Sequence, residues 1–131
     1  MKALDTNILV RFLTNDDAIQ AKKVYQLFKN AEAKRERFFV PLLVVLELLW
    51  VLESVYNISK AEIVETISEL IYLPLLKFEN ISILQIFIKE AADTNQDLSD
   101  ILIGCAARAS GCSVVLTFDK KAAKSVLFEA L

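Results

Sequence analysis

The strongest constraint on this chain is the alternation of short apolar runs with long stretches of helical apolar spacing. Met1 to Leu4, Phe38-Phe39-Val40, Leu75 to Phe78 and Ser113 to Thr117 are each about the length of a buried strand. Between them, apolar residues recur every three or four positions. Asp17 to Arg37 predicts a helix whose stripe is Ile19, Val24, Leu27, Phe28 and Ala31. Leu42 to Tyr56 predicts a nearly all-apolar helix, opened by Pro41 and ended by Asn57. Ser59-Lys60-Ala61-Glu62 is a capping box for a helix that stops before Pro74. Ile81 to Ala92 and Leu98 to Ser110 complete the set, with Gly111 placed to terminate the second. Strands that alternate with helices predict an α/β domain with a mainly parallel sheet. Ligands in such sheets bind beyond the carboxyl ends of the strands.

Nothing in the sequence marks an internal boundary, so residues 1–131 are expected to form a single domain. The N-terminus meets Asp5 before an apolar run develops, which does not fit a signal peptide. The longest apolar stretch, Val40 to Leu52, contains Pro41 and Glu47 and is shorter than the roughly 20 residues of a membrane span. The expectation is a soluble, cytoplasmic protein with no membrane partner. Mean hydropathy is +0.43, so much apolar surface must lie inside or at an interface. Cys105 and Cys112 are too few and too oddly spaced for a disulfide framework or a zinc site, and are expected to be reduced packing residues. The chain has no His, which excludes His-based triads, His-ligated zinc and an imidazole general base.

The remaining candidates for chemistry are carboxylates. Asp5 and Asp119 each follow an apolar strand, where either is also a good helix N-cap. Glu47 has Leu43, Val44, Trp50 and Val51 one turn away on its helix. An ionised carboxylate on such a face is costly unless a cation meets it, either a Lys or Arg from elsewhere or a metal. Glu53, near the helix end, is expected to face solvent. Asp97 and Asp100 straddle a helix start, as N-cap and third helical residue or as groups turned into the same cleft. A cluster of carboxylates is a hard-oxygen set of the kind Mg²⁺ or Mn²⁺ prefers. Such ions activate water near neutral pH and stabilise an in-line phosphoryl displacement, which replaces imidazole.

Charge is unevenly distributed. Gln20 to Pro41 carries six basic and two acidic residues, whereas Leu42 to Asp100 carries three basic and ten acidic ones. Lys22, Lys23, Lys29, Lys34, Arg35 and Arg37, with Arg11, Lys120, Lys121 and Lys124, either guide a phosphate backbone or form solvated helix faces.

Leu4-Asp5-Thr6-Asn7, Val45 to Leu52 around Glu47, Asp97-Leu98-Ser99-Asp100-Ile101-Leu102-Ile103 and Leu116 to Ala123 around Asp119 resemble, in that order, the PIN-domain ribonucleases. The nearest type is the toxin (VapC-like) of bacterial and archaeal type II toxin–antitoxin pairs. The resemblance runs from Met1 to about Lys124. It implies a three-layer α/β/α fold with a central, mainly parallel sheet of four to five short strands, and a ribonuclease that cleaves single-stranded RNA using Mg²⁺ or Mn²⁺. Asp5, Glu47, Asp100 and Asp119 match the family's catalytic, metal-holding acids, and Asp97 an acidic position common in the subfamily. Thr6, Asn7 and Thr117 match polar positions that orient the site. The resemblance also implies a homodimer held inactive by a cognate antitoxin protein. Two features depart from the pattern: no Gly-Phe pair precedes the last strand after Asp119, and Asn95 stands near the place of a common Gly. Two alternatives remain at this stage. A phosphoacceptor receiver domain would need paired acids after the first strand and an Asp after a central one. A PIN-like interaction module would have lost catalysis.

Overall fold

In the computed structural model, which describes residues 1–131, Asp5 stands between the first strand and the first helix, as the N-cap of the helix. Strand β1 (Lys2–Ala3) leads to helices α1 (Thr6–Leu13) and α2 (Ala18–Ala33). Strand β2 (Phe38–Val40) follows, with α3 (Leu42–Ser54) and α4 (Lys60–Leu70) after it. Strand β3 (Leu76–Phe78) precedes α5 (Ile81–Ala91) and α6 (Leu98–Ala109). The chain ends with β4 (Val115–Thr117), a 3-10 turn at Ala122–Lys124 and β5 (Phe128–Ala130).

All strand pairs are parallel, as the intervening helices require. The five strands are hydrogen-bonded as a three-stranded sheet, in the order β1-β2-β3, and a two-stranded one, β4-β5. The expected single ladder is therefore divided: the two-residue β1 bonds to β2 alone. The strand after Asp119 forms despite the missing Gly-Phe pair. Leu127 and Phe128 are buried there, and β5 runs beside β4 with Val115 opposite Phe128.

Local chemistry explains most boundaries. Asp17 caps α2 through the Gln20 N–H at 3.0 Å, and Ser59 caps α4 through the Glu62 N–H at 3.2 Å. Helix α2 ends four residues before the expected Arg37, because Arg35 turns the chain at φ 57°. Its buried stripe is narrower than expected: Val24, Phe28 and Ala31 are buried, whereas Ile19 is 73% and Leu27 38% exposed. Asn57, at φ 54°, lies just beyond α3. Gly111, at φ 93°, ends α6 while the Cys112 N–H returns to the Ala107 carbonyl.

The core is one cluster of 29 buried residues. Helix α3 is its hub, burying Val45, Leu48, Leu49 and Leu52 and packing against α1, α4 and α6. That arrangement places three helices bearing candidate acids side by side. Gly104 allows a further close approach: a Cβ there would lie 2.7 Å from the Leu127 Cβ. Helix α6 thus rests directly on the segment entering β5. Cys105 is buried as expected, but Cys112 is exposed on the turn after α6 and takes no part in packing. No helix is long and apolar enough to cross a membrane.

Candidate active site

Asp5 and Asp119 occupy equivalent places, two residues beyond the last residues of β1 and β4. Both side chains hold backbone: Asp5 accepts the Thr6 N–H at 2.8 Å, and Asp119 accepts those of Lys121 at 2.9 Å and Ala122 at 3.2 Å. These bonds use one oxygen of each carboxylate, and both residues are exposed. Asp97 caps α6, accepting the Ser99 N–H at 2.9 Å, and Asp100 stands in the first turn. The capping roles expected for Asp5, Asp97 and Asp119 are therefore present, and each leaves an oxygen free for other work.

Asp100 shows how closely some of these groups are gathered. Its carboxyl is held above the usual carboxylate range, first by partial burial and then by the negative charges of Asp97 and Asp119. Asp97, Asp100 and Asp119 therefore form one electrostatic neighbourhood. Asp5 precedes α1 and Glu47 lies on α3; these two helices pack on each other, and α3 packs on α6, but of the candidate acids Asp97 and Asp119 alone raise Asp100. The two ion pairs of the structure, Arg11–Asp16 and Arg108–Glu90, involve none of the candidate acids.

Glu47 departs from its sequence expectation. Its apolar neighbours do not bury it: Leu43 is 77% and Trp50 58% exposed, and Glu47 lies between them in solvent. The desolvation cost inferred from the sequence is absent, and no Lys or Arg pairs with it. Glu53, expected in solvent, is instead half-buried. Helical spacing identified the face but not the side of α3 that the core would choose.

The donor set suits a hard divalent cation: carboxylate oxygens alone, without a paired cation and with mutual repulsion recorded at Asp100. No three of the chain's carboxylates and thiols converge closely enough to clasp an ion as the side chains stand.

The polar neighbours are placed unequally. Thr117 Oγ1 accepts the Asp119 N–H at 3.0 Å and so fixes the turn. Thr6 is the one buried polar residue, directly beside Asp5, while Asn7 faces solvent. Lys120 and Lys121 are exposed next to Asp119. Arg11 is already engaged: its guanidinium donates to Gln20 at 2.7 Å, and to Asp16 and Tyr56 at 3.2 Å each. Tyr56 in turn donates to Asp16 at 2.6 Å, tying the α1–α2 turn to the end of α3. Nothing local in the sequence announces that tie, since Tyr56 lies 40 residues from Asp16. Gly104 was detectable as a lone glycine inside a helical pattern. Two surface cavities of about 400 and 360 Å³ lie around Arg37, near the starts of β2 and β3, and none of the candidate acids lines either one.

Strands paired in parallel between helices, with Asp97, Asp100 and Asp119 in one acidic neighbourhood, define an α/β protein. A PIN-domain family model matches residues 2–126, and the chain belongs to that family. Among characterised proteins it is similar to the VapC ribonuclease of Aquifex aeolicus (strain VF5). The two are 28% identical over 125 residues, covering 92% of this chain and 89% of that one.

Proposed function

We propose that residues 1–131 form one catalytic domain, a metal-dependent endoribonuclease that cleaves single-stranded RNA. The observation that carries this is the PIN-domain match over residues 2–126, beside which Asp97, Asp100 and Asp119 stand as an acid neighbourhood without a paired cation. In this reading Asp5, Glu47, Asp100 and Asp119 hold Mg²⁺ or Mn²⁺, with Asp97 at the margin of the site. The ion supplies activation of water and charge neutralisation at the phosphoryl group. The protein's own residues set the geometry. Thr117 and the bond to the Ala122 N–H hold the Asp119 turn, and the Asp5 side chain accepts the Thr6 N–H at the start of α1. Lys120 and Lys121 draw the phosphate backbone toward the acids.

The similarity to a VapC ribonuclease supports a toxin of a toxin–antitoxin pair, acting in the cytoplasm as a homodimer and restrained by a cognate antitoxin. The exposed apolar side chains of α3 provide surface for such partners. The test is cleavage of single-stranded RNA by the purified protein with Mn²⁺, with Mg²⁺ and with chelator, beside Asp5→Asn. Cleavage only with metal, lost in Asp5→Asn, is the expected result. Metal-independent cleavage, or full activity in Asp5→Asn, would overturn the metal assignment.

A further inference from the structure

The turn between β4 and Asp119 carries an aromatic ring that the fold does not use. Phe118 is 83% exposed, twice the 40% of Phe12, the next most exposed phenylalanine. It belongs to neither aromatic pair of the structure, which are Phe12–Phe28 and Phe28–Phe38. The core gains almost nothing from this ring, yet the backbone beneath it is firmly held. On one side the Thr117 carbonyl accepts the Leu131 N–H at 2.9 Å, and Thr117 Oγ1 accepts the Asp119 N–H at 3.0 Å. On the other, Asp119 caps the turn that buries Ala122. A rigid mount therefore presents a free π-face one residue before a site acid and two before an exposed lysine.

We propose that Phe118 is a stacking platform for one nucleobase of a single-stranded RNA whose phosphate lies at the acid cluster. The inference deepens the ribonuclease reading and rests on it. Single-stranded RNA offers unpaired base faces, and a planar ring on a fixed turn takes one with little loss of side-chain freedom. Lys120 and Lys121, exposed on the same turn, supply positive charge for the flanking phosphates. Ring, cation and acid together give the chemistry of one nucleotide: a base to stack, a phosphate to attract and a phosphodiester to cleave. Stacking tolerates any base, so Phe118 fixes distance and strandedness rather than sequence.

The test measures binding of an end-labelled single-stranded oligoribonucleotide by fluorescence anisotropy, in an Asp5→Asn background that leaves the RNA intact. Into it are introduced Phe118→Ala, Phe118→Leu and Phe118→Tyr. The ring is exposed, so all three should fold, and circular dichroism checks this. Alanine and leucine should each weaken binding by about 5- to 150-fold, the range expected for losing one stacked base, while tyrosine stays within about twofold. The slope of affinity against salt should not change, because no charge is removed. Lys120→Gln should instead flatten that slope by roughly 0.7. In the active chain, Phe118→Ala should raise KM more than it lowers kcat.

Leucine binding as well as phenylalanine would overturn the proposal, since only apolar contact would then be at work. Unchanged RNA binding by Phe118→Ala, with a shift in oligomeric state on sedimentation, would also overturn it and assign the ring to a protein contact. If the unmodified chain neither binds nor cleaves RNA with any metal, the ribonuclease reading has failed and the proposal falls with it. If the chain cleaves RNA normally whatever stands at 118, the proposal alone has failed.

Discussion

Replacing Gly104 by alanine sets two effects of known size against each other. Gly104 is buried in the middle of α6, where alanine favours the helix by about 0.8–1.0 kcal/mol. Against this, the new methyl would meet Leu127 at 2.7 Å from Cβ, 2.9 Å from Cδ1 and 3.2 Å from Cγ. The nearest of these atoms is attached to backbone, and Leu127 is 3% exposed, so no rotamer change frees the space. Overpacking of this kind costs typically about 1–3 kcal/mol, and three short contacts put this site at the upper end. The net loss is about 1–2 kcal/mol, or roughly 4–8 °C in Tm for a chain of this size. Thermal and urea unfolding of Gly104→Ala, Leu127→Ala and the double variant measure it. Leu127→Ala alone should cost about 2–5 kcal/mol through its cavity. The double variant loses the contacts to Cγ and Cδ1 but keeps the one to Cβ, so it should be more stable than the sum of the two by less than about 1 kcal/mol. A rise in Tm for Gly104→Ala would refute the close approach of α6 to Leu127.

Asp100→Asn should abolish cleavage yet make the protein more stable than its parent at neutral pH. A carboxyl raised in the folded state contributes stability below its ordinary range and loses it as pH rises through the folded value, so the advantage of Asn should vanish in acid, as urea titrations at several pH values can show. Tyr56→Phe should return the Asp16 carboxyl upward toward its ordinary value in an NMR titration, because the Tyr56 hydroxyl is the chief cause of its lowering. The stability linked to Asp16 is present above the ordinary carboxylate range and is lost as pH falls through the lowered value, so this variant should have a shallower acid limb. A thiol reagent should label Cys112 in the native protein and Cys105 only after unfolding; burial pushes the Cys105 thiol up to about 11, while Cys112 is exposed. Labelling of Cys105 at the native rate of Cys112 would contradict the packing of α6.

Elements with their own local signals were legible along the chain. The capping chemistry of Ser59 and Asp97, the stop at Gly111 and the apolar period of α5 depend on neighbours a few residues away, and all are present. The end of α2 was less legible, because Arg35 takes a left-handed conformation that its residue type does not favour. The candidate acids could be named from their positions after strands and at helix starts. Their environments could not: the same spacing that marked Glu47 as lying among apolar residues is satisfied by an exposed face.

By itself the sequence determined the alternation of strand and helix, the parallel pairing that follows from it, and the exclusion of imidazole chemistry by the lack of histidine. Those are consequences of residue type, period and connection length, which act within a few turns of chain. Tertiary structure alone decided which side of α3 met the core and left Glu47 in solvent. It also decided that Arg11 would be held by Asp16 and Tyr56, and that Asp119 would raise the carboxyl of Asp100 across 19 positions of sequence. Burial and Coulombic fields depend on distance in space, and that distance exists only once the helices have packed.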